Sequence, residues 1–183
     1  NIAGDHEEKA VVAILKKAIS DSDPDIKHYA ATTLIGIEEK FEKNILKLKE
    51  QYKQKPDAET ALKIMELYDR YIHSGVLDEN YKKTIFAEYL ELLRKSKNMF
   101  ADSFEISAKL LHAYLELRMF ERAEQLLAEF RQLWPEQGLF NFLAMNFYFR
   151  LNDYKQVASH ASRIKESGLE LPDEYKQVVN YWS

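Results

Sequence analysis

The chain contains no cysteine. Disulfide staples and thiolate zinc sites are therefore excluded, and the absence is consistent with the cytoplasm. Glycine and proline are scarce, with 5 and 4 residues among 183. That scarcity argues against sheets joined by tight turns and in favour of long helices. No excess of basic residues is present: 26 Lys and Arg face 30 Asp and Glu, giving a net charge of −4. Nucleic-acid binding is driven by phosphate neutralisation and is disfavoured by this balance. No apolar run approaches the roughly 20 residues of a membrane span, and no signal-peptide pattern opens the sequence. The chain begins at Asn1 rather than Met, which leads us to expect a processed form or a portion of a longer protein.

Apolar residues make up 46% and charged residues 31%. The first is enough for a core and the second enough to wet a long surface. The scarce breakers punctuate helices. Pro24, Pro56, Pro135 and Pro172 stand at expected helix boundaries, and Gly75, Gly138 and Gly168 in expected turns. Gly36 lies inside a helical pattern, where it costs about 1 kcal/mol, so close helix packing is its expected reason.

Nine helices are predicted. The first runs from about Asp5 to Ile19, with Asp5 and Glu8 spaced as a capping box. Its stripe is Ala10, Val11, Ile14, Leu15 and Ala18. The second opens at Asp23-Pro24-Asp25, an N-cap, a proline at N1 and an acid in the first turn. It runs past Phe41 to about Tyr52. The third follows Asp57, the fourth begins near Asp78, and the fifth begins at Asp102 with Glu105 completing a capping box. The sixth spans Phe120 to Trp134, the seventh Gly138 to Leu151, and the eighth the stretch between Asp153 and Gly168. A short ninth helix follows Pro172, with Tyr175, Val178, Val179 and Trp182 on one side. No segment reads as a strand. The fold class expected is all-α, an α-solenoid of antiparallel helix pairs.

The clearest internal signal is a period of 34: Tyr114 maps onto Tyr148, Leu117 onto Leu151, Phe120 onto Tyr154 and Ala123 onto Val157. A tyrosine ending the first helix of a hairpin, an aromatic opening the second and a small residue at their crossing give that pattern a physical basis. These residues resemble the tetratricopeptide (TPR) family, whose repeat is about 34 residues. The better unit is Phe104 to Gln137, with Tyr114, Phe120, Ala123 and Pro135 at matching positions. The unit from Gly138 keeps Tyr148, Asn152-Asp153-Tyr154 and Val157 but has no closing proline. Ser107 and Asn141 stand at the family's Trp position, Leu111 and Met145 at its Gly. A generic array of helical hairpins would serve much the same purpose. Met65, Tyr68 and the helix after Asp78 suggest an earlier, irregular unit with a long turn, Ser74 to Asp78.

The stretch from Asp23 to Leu34 resembles instead the second helix of a HEAT repeat, with the first helix as partner. The domains expected are therefore 1–55, a HEAT-like hairpin with a long second helix, and 56–183, TPR-like repeats with a C-terminal capping helix. His28-Tyr29-Ala30-Ala31-Thr32 and the long charged helix behind it resemble the repeat region of the PelE family, membrane-anchored components of bacterial Pel exopolysaccharide machinery. That resemblance implies a cytoplasmic domain tethered to the inner membrane by an upstream segment. It also implies partners like the cyclic-di-GMP receptor PelD and the glycosyltransferase PelF.

No chemistry-bearing motif is visible. The histidines, His6, His28, His73, His112 and His160, form no metal-binding spacing, and Asp5-His6-Glu7-Glu8 reads as a solvated helix end. His28 is expected to hydrogen-bond within the hairpin stack. There is no phosphate loop and no Gly-x-Ser-x-Gly, and carboxylates alternate with lysines as on exposed helix faces, Glu39 and Lys43 among them. No catalytic residue, metal or cofactor is expected, and the chain reads as a protein-binding scaffold. Candidate partner-binding residues are Leu139, Phe142, Asn146, Phe149 and Arg150 on the seventh helix, with His112 on the fifth. Exposed aromatics in a groove suit a partner's apolar helix or peptide. Coverage by this chain's own helices is an equal alternative, and a homodimer through the same aromatics is another. Asn146 and Arg150 match part of a carboxylate clamp. Ala108 and Phe142 stand where that clamp needs polar groups, which puts it in doubt.

Overall fold

The computed structural model describes residues 2–134, 138–168 and 173–183. Among them the chain is all helical, without a strand: α1 (Ile2–Ala18), α2 (Pro24–Gln54), α3 (Ala58–His73), α4 (Glu79–Met99), α5 (Phe104–Glu116), α6 (Phe120–Leu133), α7 (Gly138–Arg150), α8 (Tyr154–Glu166) and α9 (Asp173–Trp182). No described helix is long and apolar enough to cross a membrane. The chain packs as two compact units, 1–106 and 107–183, so the division falls inside α5. The boundary expected at 55/56 lies between α2 and α3, which pack together within the first unit. Pro135 and Pro172 lie outside the described residues, as do the side chains of Leu139 and Tyr175.

In the first unit α3 is the centre. Ala61, Ile64, Met65, Tyr68, Tyr71 and Ile72 are all buried, because α2 and α4 pack on it from two sides. Phe41 of α2 stacks on Tyr71 at 4.8 Å, and Tyr89 of α4 stacks on Tyr68 at 5.8 Å. The buried Tyr68 and Tyr71 and the exposed Tyr81 place their hydroxyls on carboxylates. Tyr71 and Tyr81 both donate to Glu42 Oε1, at 3.2 and 2.6 Å, and Tyr68 donates to Glu88 Oε2 at 2.7 Å. Lys49 also donates to Glu88, at 3.1 Å. Glu42 faces Tyr81, Lys49 faces Glu88 and Tyr52 faces Met99, so α2 and α4 run parallel with α3 antiparallel to both. The turn into α4 is long because Val76 and Leu77 fold back into the core, while Gly75 takes φ +83° and Ser74 Oγ accepts from the Val76 N–H.

Caps appear largely where the acids stand. Asp23 accepts from Asp25 N, Asp57 from Thr60 N, Asp78 from Asn80 N and Tyr81 N, and Asp153 from Gln156 N. Two caps differ from expectation. Helix α1 begins at Ile2, so Asp5 lies inside it. Helix α5 begins at Phe104, and Ser103 rather than Asp102 caps it, accepting from Ile106 N at 3.3 Å. The face of α1 also differs: Val12 is buried, whereas Val11 and Ile14 (67% accessible) point to solvent. Gly36 is not a close-packing site, because a Cβ there would meet nothing within 4 Å.

The second unit repeats itself in its backbone. At the end of α5 the Met119 N–H reaches Tyr114 O at 2.8 Å, and 34 residues on Asp153 N–H reaches Tyr148 O at 3.0 Å. Arg118 and Asn152, both left-handed at φ 55° and 59°, stand one residue before those donors. Each turn is thus a Schellman-type closure with a non-glycine residue at the left-handed position. Ala123 and Val157, the two small residues of the 34-residue pattern, are both buried.

Candidate functional site

Helix α7 carries aromatics around its whole circumference, and its neighbours divide them. α6 and α8 pack on it. Phe140 and Phe147 are buried, as are Ala144 and Met145. Tyr148 and Phe142 are half-buried against a core of Met145, Val157, Ala161, Ile164 and Val179. Val179 belongs to α9, so α9 joins the packing that holds Phe142. Phe149 remains 49% accessible.

Phe149 belongs to an aromatic cluster that the sequence pattern did not single out. Its ring lies 6.2 Å from Trp182 and 6.3 Å from Tyr154, edge to face in each case. Tyr154 stacks on Trp182 at 5.3 Å with ring planes 7° apart. Tyr181, 80% accessible, meets Trp182 edge-on at 5.2 Å. Leu151 and Val178 are exposed nearby in sequence. The available signal was the spacing of Tyr154 at the start of α8 and Tyr181-Trp182 at the end of α9, two helix ends whose proximity depends on how α9 docks on α8.

The other candidates divide as follows. Asn146 is half-buried and Arg150 exposed, both on α7. His112 is exposed on α5, and among the described residues no hydrogen bond or ring contact joins it to them. The Leu139 side chain lies outside the described residues. His28, expected to bond within a hairpin, is exposed and has no hydrogen bond among the described residues.

The buried histidine is instead His160. Its Nδ1–H donates to Asn141 Oδ1 at 3.0 Å, and its ring stacks on Tyr148 at 5.5 Å and meets Phe140 edge-on. Burial holds the imidazole below its ordinary pKa, and Arg163 and Arg131 add to the depression. The neutral ring serves as a packed hydrogen-bond donor. Among the described residues no group of three His, Asp or Glu side chains is placed to hold a metal ion.

No protein-family model matches the chain, and no curated protein matches it.

Proposed function

We propose that the chain is a non-enzymatic helical-repeat scaffold that docks protein partners on the aromatic surface formed by α7, α8 and α9. The observation that carries this reading is the cluster in which the accessible rings of Phe149, Tyr154 and Tyr181 gather around a half-buried Trp182. Accessible aromatic anchors are the residue type that dominates binding energy at interfaces. The 34-residue recurrence of turn hydrogen bonds and left-handed residues supports reading the second unit as TPR-like hairpins. Parallel α2 and α4 flanking α3 support reading the first as hairpins of the same general kind, HEAT-like at its start. The whole is an α-solenoid in this reading.

The particular assembly we propose is a Pel-type exopolysaccharide complex. An upstream segment would tether the domain to the inner membrane on its cytoplasmic side, and the partners would be PelD-like or PelF-like components. The support is the His28–Thr32 resemblance and the long charged α2 behind it. The test is direct binding of purified PelD-like and PelF-like cytoplasmic domains to the chain, compared with its Tyr181→Ala variant. Saturable binding that the variant weakens about tenfold is expected of an aromatic anchor. Binding to neither domain would remove the Pel assignment. A mass that doubles with concentration, and reverts in the variant, would transfer the surface to self-association.

A further inference from the structure

We propose that the outward face of α1 pairs antiparallel with the same face of a second copy of this chain. α1 is apolar on two sides. On one side Val12 is buried against the turn at Gly75, and Leu15 is half-buried. On the other side Ala10, Val11, Ala13 and Ile14 are all exposed, Ile14 by 67%. A helix apolar on more than one side is ordinarily buried on more than one side. Arrays of helical hairpins end in units with a polar outer face, because an apolar end goes on stacking. α1 is the first helix of the chain, and its outer face is not polar.

The charges around this patch say what covers it. Glu8 and Lys16 are used within the chain: Glu8 Oε2 lies 2.8 Å from Arg70 Nη2, and Lys16 donates to Leu77 O at 3.4 Å. Glu7 and Lys17, at the two ends of the outer patch, are exposed and have no hydrogen bond or ion pair among the described residues. Glu7, Ala10, Ile14 and Lys17 follow the three-and-four spacing of a single helix stripe. That stripe is its own complement when reversed about the level of Val12. Glu7 of each copy then stands beside Lys17 of the other, at both ends of the contact. Ile14 of each copy seats beside Ala10 of the other, whose small side chain lets the helices approach closely. Twofold symmetry makes every such contact twice. A parallel pairing would instead set Glu7 on Glu7 and Lys17 on Lys17. One pair of short helices falls in the small interface class, under about 1,200 Å², so the dimer is weak and depends on concentration. The face shares no residue with the aromatic surface of the second unit, and its test is independent of that reading.

The experiment is sedimentation velocity on the intact chain, from micromolar to millimolar concentration. The mass should rise toward that of a dimer as concentration increases. Ile14→Glu changes an exposed position, should keep the helical signal in circular dichroism, and should weaken association about tenfold or more. Glu7→Lys and Lys17→Glu should each weaken it about threefold, because each brings like charges together at both ends of the pairing. Mixed in equal amounts, those two variants should associate with each other as well as the unmodified chain does with itself. Tyr181→Ala should leave the dimer unchanged. A chain that stays monomeric throughout would overturn the proposal, and so would an Ile14→Glu variant that dimerises like its parent. Charge variants that fail to associate when mixed would overturn the antiparallel register. A dimer lost in Tyr181→Ala and kept in Ile14→Glu would move self-association to the second unit and overturn the proposal as well.

Discussion

Replacing Phe142 and Phe149 separately by alanine distinguishes core from surface on a single helix. They lie seven residues apart on α7, and helical spacing alone gives them one stripe. The packing gives them different weights. Phe142 sits half-buried against Met145, Val157, Ala161, Ile164 and Val179. A fully buried Phe→Ala change costs about 3–5 kcal/mol. Half burial against a dense core should bring this to about 2–3 kcal/mol. Phe149 is 49% accessible, and its ring partners are the exposed Tyr154 and the half-buried Trp182. Its loss should remove little more than two edge-to-face contacts, about 1 kcal/mol. A domain of this size loses about 4–8 °C of Tm per kcal/mol. Phe142→Ala should therefore lower the second unit's Tm by 10 °C or more, roughly, and Phe149→Ala by about half as much or less. Thermal denaturation followed by circular dichroism and tryptophan emission reads both, since Trp134 and Trp182 lie in this unit. Partner binding should show the reverse order, with Phe149→Ala losing about 1 kcal/mol or more. Equal destabilisation by the two changes, or a larger loss at Phe149, would refute the division.

Three further predictions concern single groups. The folded state holds His160 below its ordinary pKa, so its stabilising effect is complete above the unfolded pKa of about 6.5. It is lost as pH falls through the lower folded value. Urea midpoints for the second unit should drop between pH 7.5 and 5, and less so in His160→Asn; an identical slope in the variant would exclude this histidine as the cause. Glu38 has the opposite sign: burial first, then the charges of Glu42 and Asp78, raise its pKa. Its contribution is present below the unfolded value and lost as pH rises through the folded one. Glu38→Gln should therefore stabilise the first unit at pH 7, by a few tenths of a kcal/mol for a partly exposed group. The gain should vanish below pH 4; a destabilised variant at neutral pH contradicts the reasoning. Gly36→Ala adds a methyl that meets nothing within 4 Å and should stabilise α2 by up to about 1 kcal/mol. A lowered midpoint would show that the glycine is needed in some other state.

The parts of the fold that could be read from sequence are those fixed by local chemistry. Asp23-Pro24-Asp25 caps α2 because its groups satisfy N–H donors only two residues away. The 34-residue period was legible because Tyr114 and Tyr148 close equivalent turns. Where two answers were locally equal, the pattern failed. α1 carries apolar residues on two stripes, through Val11 and Ile14 or through Val12 and Leu15, and only its packing on α2 and on the turn at Gly75 selects the second. Histidine burial followed the same rule. His28 and His160 look alike as isolated residues, yet only His160 has an asparagine, a tyrosine and a phenylalanine brought around it by the neighbouring helix. The aromatic surface was half visible: Phe149 was identified, whereas Tyr154, Tyr181 and Trp182 become its neighbours through the docking of α9 on α8.

The length of α2 has a mechanical consequence. With 31 residues it spans about 46 Å, nearly twice the 16-residue α3 on which it lies. Its far half is anchored to α4 by Lys49 on Glu88 and Tyr52 on Met99, and its middle by Glu42 on Tyr71 and Tyr81. A pull along this helix loads all of those attachments together, in shear, instead of opening them one after another. It acts as a spar along its unit: it lies on α3, which lies on α4, so a load on α2 reaches α4 chiefly through the helix between them.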